Sequence, residues 1–101
     1  MGRPRAEILV DVRSADEQAF VLAVRVREGD TETAHDVSLG RDLLARLARR
    51  VSAESAQELV RRSFEFLLQR EPKESILRRF DLSVIGRYFP EFEATIGQAG
   101  R

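Results

Sequence analysis

Phe20-Val21-Leu22-Ala23-Val24-Arg25-Val26-Arg27-Glu28-Gly29-Asp30-Thr31-Glu32-Thr33-Ala34-His35-Asp36-Val37-Ser38-Leu39 decides the fold. Its first part alternates apolar and mixed residues with period two, the pattern of a half-buried strand. Gly29-Asp30 then supplies a two-residue hairpin signal, with glycine at the first central position, where a type II′ turn needs positive φ. That turn fixes the register. Glu28 faces Thr31, Val26 faces Thr33, Val24 faces His35, Leu22 faces Val37 and Phe20 faces Leu39. The apolar side of one strand therefore lands on the apolar side of the next. On the opposite side Arg27 meets Glu32 and Arg25 lies diagonal to Asp36, a solvent-side ladder of opposite charges.

Towards the N-terminus, Ile8, Val10 and Val12 alternate with Leu9, Asp11 and Arg13. This is a third strand. The connection around Ser14-Ala15-Asp16-Glu17 has to hold an odd number of residues, because only then does Val10 or Val12 share a face with Phe20. The expected product is a three-stranded antiparallel meander with the Phe20 strand in the centre.

Towards the C-terminus the period becomes helical. Ser38 or Gly40 opens a short helix carrying Leu43, Leu44 and Leu47. Ser52 is an N-cap for the next helix, with Glu54 in its first turn. Ala56, Leu59, Val60, Ser63, Phe64, Leu67 and Leu68 form one stripe along it, with charges opposite. Pro72 ends that helix and suits the first turn of a new one through Ile76, Leu77 and Phe80. Asp81 or Ser83 caps a last helix with Val84, Ile85, Tyr88 and Phe89, which Pro90 ends. Six of the seven aromatic residues lie from Phe64 onward. Most of Phe64, Phe80, Ile85, Tyr88 and Phe89 are expected in the core. Phe64 and Phe66 project about 200° apart around their helix, so both cannot face the sheet. Phe66 needs the later helices or a second chain.

At 101 residues the chain is read as one α+β domain. The meander spans about 6–39, a layer of about four helices 41–89, and a flexible tail 97–101. A hydrophobic content of 43% fits a folded chain. Seventeen basic residues balance seventeen acidic ones, which argues against a chain devoted to the nucleic-acid backbone. All the basic residues but Lys73 are arginine, as in proteins from GC-rich bacterial genomes, and arginine favours bidentate ion pairs. The absence of cysteine removes disulfides and thiolate chemistry. With no signal-peptide core and no run of eighteen apolar residues, the reading is cytoplasmic and without a membrane partner.

No constellation of catalytic or metal-binding residues stands out. His35, the only histidine, falls on the apolar side of its strand and has neither a second histidine nor a cysteine beside it, so it reads as a packing residue. Glu71 and Glu74 alternate with Arg70 and Lys73 and read as an ion-paired helix start. Glu91 and Glu93 lie too near the C-terminus for precise chemistry. There is no phosphate-binding glycine loop, serine elbow or zinc signature. The expectation is no enzyme, no cofactor and no metal.

What the pattern favours is a small protein-interaction domain, a homodimer or a binder of another protein. The surfaces singled out are Val21, Ala23 and Ala34 on the milder side of the sheet or an unpaired edge strand, and Phe66, Arg70 and Lys73 at the proline corner. The alternative is a nucleic-acid-binding regulator. It would use the 73–89 helix pair as a helix-turn-helix, with Arg78, Arg79 and Arg87 on phosphates. Between Arg61 and Arg87 seven basic residues meet four acidic ones, so this stretch is locally positive.

Overall fold

The computed structural model describes residues 6–99. Three antiparallel strands, β1 (Glu7–Ala15), β2 (Ala19–Glu28) and β3 (Thr31–Gly40), form the meander. Every β2–β3 pair derived from the Gly29-Asp30 turn is present, from Glu28↔Thr31 to Phe20↔Leu39. Gly29 has φ +59° and, among the described residues, no non-glycine residue has positive φ, the combination a type II′ turn requires. Asp16 closes the other connection by accepting hydrogen bonds from the Gln18 and Ala19 amides at 2.8 Å. A β-bulge corrects the parity there. Ser14 pairs with Val21 and Ala15 with Phe20, a register in which Val12 would meet Ala23. The extra residue, Arg13, shifts the ladder so that Val12 meets Leu22 on the core side.

The helices cover one face of the sheet. Gly40 precedes α1 (Arg41–Leu47), which buries Leu43 and Leu44. Ser52 caps α2 (Ala53–Leu68) by accepting from the Ser55 amide at 3.1 Å, and the expected stripe of α2 is buried from Ala56 to Leu67, with Leu68 partly buried. Ser63 lies within that stripe because its hydroxyl donates to the Leu59 carbonyl at 2.7 Å. Phe20, Leu22, Val24, Val26, Val37 and Leu39 meet this layer with almost no exposure. Each such side chain contributes about 1.5–3 kcal/mol by leaving water.

Beyond Pro72 the expected helix does not form. Lys73–Ser75 makes a single 3₁₀ turn, and Arg79–Asp81 is a strand, β4, which extends the sheet to four. It runs parallel to β3, with Asp36↔Arg79, Val37↔Phe80 and Ser38↔Asp81 opposed. The free edge of β3 decides this outcome. The Asp36 amide donates to the Arg78 carbonyl at 2.7 Å and the Leu82 amide to the Ser38 carbonyl at 2.8 Å. A short helix would have left those edge groups unpaired.

The 73–89 helix pair is thus replaced by a turn, a strand and one short helix, α3 (Val84–Tyr88). A further helix, α4 (Phe92–Ala99), follows Pro90 and buries Phe92 and Ile96. Gly97 to Ala99 belong to it, while Gly100 and Arg101 lie outside the described residues. No described helix is long and apolar enough to cross a membrane.

Candidate interaction cleft

The short elements after Pro72 leave an apolar cleft of about 370 Å³ against the end of α2. Leu67, Phe80, Ile85 and Phe89 form its walls, and Glu71 and Ser75 add polar groups. Leu77 and Tyr88 also line it, 50% and 70% exposed respectively. Tyr88 therefore corrects the expectation that it is core. The five-residue α3 buries Ile85, while Tyr88 at its last position stays exposed. Glu71 makes no ion pair or side-chain hydrogen bond among the described residues. The cleft pairs a bulky apolar lining with a single carboxylate, within the roughly 300–1,000 Å³ of ligand-sized pockets.

Hydrogen bonds hold the cleft's β4 side in place. Ser38 donates to Asp81 Oδ1 at 2.7 Å, and Ser83 donates to Asp81 Oδ2 through its hydroxyl at 2.6 Å and its amide at 3.1 Å. Burial alone would raise the Asp81 pKa, but these hydrogen bonds outweigh it and hold the carboxyl below its ordinary value. His35 is 3% exposed and bonded at both ring nitrogens. Its Nδ1 donates to the Leu77 carbonyl at 2.8 Å, which assigns the proton to that nitrogen, and Nε2 accepts from the Thr33 hydroxyl at 2.8 Å. The ring meets Phe64 edge-on at 5.2 Å. Burial pushes the His35 pKa down. This arrangement fits the packing role read from the sequence, with the added task of anchoring the segment before β4.

Of the proline-corner residues, Phe66 and Lys73 are buried and Arg70 is exposed. Phe66 is buried against Phe89 and Phe92, at centroid distances of 5.8 and 5.2 Å. The later helices cover it. Arg70 stacks 3.6 Å over the Phe66 ring, donates to the Phe66 carbonyl at 3.0 Å and pairs with Glu91 at 3.3 Å. Lys73 is only 3% exposed, with Nζ 2.6 Å from Glu74 and 3.4 Å from Glu28. Glu74 first, and then Glu28, raise its pKa. It ties the corner to the β2–β3 turn and offers no free charge.

Val21, Ala23 and Ala34 lie together on the sheet face away from the helices, Val21 38% exposed. Arg27–Glu32 and Arg79–Asp36 flank them at 2.6 and 3.9 Å. Arg78, Arg79 and Arg87 are exposed, yet no helix pair presents them to a groove. Among the described residues no three His, Cys, Asp or Glu side chains gather to hold a metal ion.

Sequence reasoning missed the cleft because Ile76 and Phe80 are four residues apart, a spacing that suits a helix as well as a strand. The polar-apolar-polar run Arg79-Phe80-Asp81 was the available signal for β4. No protein-family model, curated protein or solved structure matches the chain.

Proposed function

We propose that this chain is a non-enzymatic protein-interaction domain that receives an apolar segment of a partner protein in the cleft between the end of α2 and α3. One observation carries the reading: Leu77 and Tyr88, the two most exposed large hydrophobic side chains among the described residues, both line the same apolar cleft. Scattered surface apolar residues need no explanation, but two converging on a concave apolar lining mark a binding site. Glu71 gives the segment a charge preference for lysine or arginine beside its bulky apolar residue.

Selection of displayed peptides against the wild-type domain and against Glu71→Lys tests this. Wild type should enrich peptides that pair a bulky apolar residue with Lys or Arg, and Glu71→Lys should enrich acidic neighbours instead. Tyr88 is the only tyrosine and there is no tryptophan, so intrinsic fluorescence reports binding from the cleft itself. Selected peptides that bind Leu77→Asp as well as wild type would place recognition elsewhere.

A further inference from the structure

The β2–β3 turn sets the direction of every backbone group in the meander. A two-residue loop makes Glu28 and Thr31 a hydrogen-bonded pair, so even-numbered residues of β2 point to β3 and odd-numbered ones to β1. Through Glu7↔Arg27, Leu9↔Arg25 and Asp11↔Ala23, the odd residues of β1 point to β2. Ile8, Val10 and Val12 therefore turn their N–H and C=O groups outward at the sheet's edge. Gln57 of α2 agrees, since its amide reaches the Val10 carbonyl at 3.3 Å from outside the sheet. Beside this edge, a groove of about 350 Å³ runs between β1 and α2, with Ile8 and Val10 on one side and Glu54, Gln57 and Arg61 on the other. Apart from this Gln57 contact, the outward backbone groups of β1 up to the bulge have no partner among the described residues, and such an edge is a template for another strand.

We infer that a second copy of this chain pairs with this edge, its β1 running antiparallel to the first about a two-fold axis through Val10. The order of side chains along β1 selects that register. About Val10, Ile8 meets the copy's Val12 on the core side, Leu9 meets Asp11 on the outer side, and Glu7 reaches the bulge residue Arg13 at the end of the regular ladder, twice by symmetry. Moving the axis to Leu9 opposes Glu7 to Asp11. An axis at Asp11 opposes that carboxylate to its own copy. Axes between residues set the apolar side of one strand against the polar side of the other. An axis at Val12 also joins opposite charges, Asp11 with Arg13, but sets Val10 against Ser14; the Val10 axis opposes the apolar residues Ile8, Val10 and Val12 and brings Glu7 to Arg13. Arg13 is exposed and has no ion pair or side-chain hydrogen bond among the described residues, while Glu7 has only Arg27, at 3.6 Å. The partly buried Ile8, Val10 and Val12 gain cover from the same pairing. Stacking through Val21, Ala23 and Ala34 would instead bury the flanking ion pairs for little apolar contact.

The dimer uses a surface separate from the cleft, so the two readings fail separately. Sedimentation of the full chain from about 1 to 100 µM should show a dimer. Arg13→Glu, at an exposed position, should weaken it at least ~10-fold, and Glu7→Arg combined with Arg13→Glu should restore it. Leu77→Asp should leave it intact. The chain has no cysteine, so Val10→Cys should oxidise to a covalent dimer, because opposed hydrogen-bonded residues lie about 5.5 Å apart at Cα, within disulfide reach. Val12→Cys should not. A wild-type monomer at ~100 µM overturns the inference, as does a dimer indifferent to Arg13→Glu or one that Val12→Cys links as readily as Val10→Cys.

Discussion

The meander and the segment from Pro72 to Phe89 are of different making. In the meander three independent signals converge: strand alternation, a turn with a glycine at positive φ, and charge pairs across the solvent face. After Pro72 the chain forms a three-residue turn, a three-residue strand and a five-residue helix, each too short to persist alone. They are fixed from outside, by the edge of β3, by the His35 ring and by Glu28, which lies 3.4 Å from the buried Lys73 ammonium. One region carries its structure locally and seals its face. The other borrows its structure from neighbours and leaves a cleft open.

Phe64 joins the two. It is fully buried and touches His35 of the meander and Phe80 of β4, at 5.2 and 6.1 Å between ring centroids. Phe64→Ala should therefore cost about 3–5 kcal/mol, the loss expected for a buried ring that leaves a cavity. Urea unfolding followed by far-UV circular dichroism measures it. A loss below about 1.5 kcal/mol would mean that the two regions do not share one close-packed core.

His35 tests the borrowed part by pH. Its folded pKa lies below the ordinary value of 6.5, so the unfolded chain takes up a proton first as pH falls. The stability linked to neutral His35 is thus fully present above about pH 6.5 and is lost as pH drops towards the folded value. The carboxyls of Asp16, Glu58 and Asp81, all held below their ordinary values, act only at lower pH, where their contribution is lost in turn. Melting temperature should fall between pH 7.5 and 5.5 in wild type and stay flatter in His35→Gln. That variant should also lose about 1–3 kcal/mol at pH 7.5, because the Leu77 carbonyl and the Thr33 hydroxyl lose their partner. Equal pH slopes in the two proteins would remove His35 as the titrating anchor.

Where the sequence was legible, side-chain pattern and backbone geometry gave one answer. Gly29 admits the tight turn, and parity then assigns every residue from Phe20 to Leu39 to a face. Ser52 and the Ala56-to-Leu67 stripe mark α2 in the same way. Ile76, Leu77 and Phe80 satisfy two periods at once, and the deciding factor, the unpaired backbone of Asp36 and Ser38, is some forty residues away in the chain. The same cause hid the cleft, since a helix over 73–80 would have left no such gap beside α2. Phe66 was legible only as a question: its angle to Phe64 showed that it needed cover, but α4, which supplies part of it, lies beyond Pro90 and was not anticipated.

Leu77 and Tyr88 should show the smallest effect on stability and the sharpest contrast with Phe64. Both are apolar or aromatic residues within sixteen positions of Ile76 and Phe92, yet half or more of each surface faces solvent. Leu77→Ser and Tyr88→Ser should each change stability by no more than about 0.5 kcal/mol, as substitutions at exposed positions do. If Tyr88 instead packed in the core, as a longer helix would place it, Tyr88→Ser would cost several times that. Acrylamide quenching separates the cases without mutation, because the only tyrosine reports alone. Quenching close to that of a free tyrosine derivative fits an open cleft wall, and strong protection would close the cleft and return this segment to the sealed kind of structure that the meander represents.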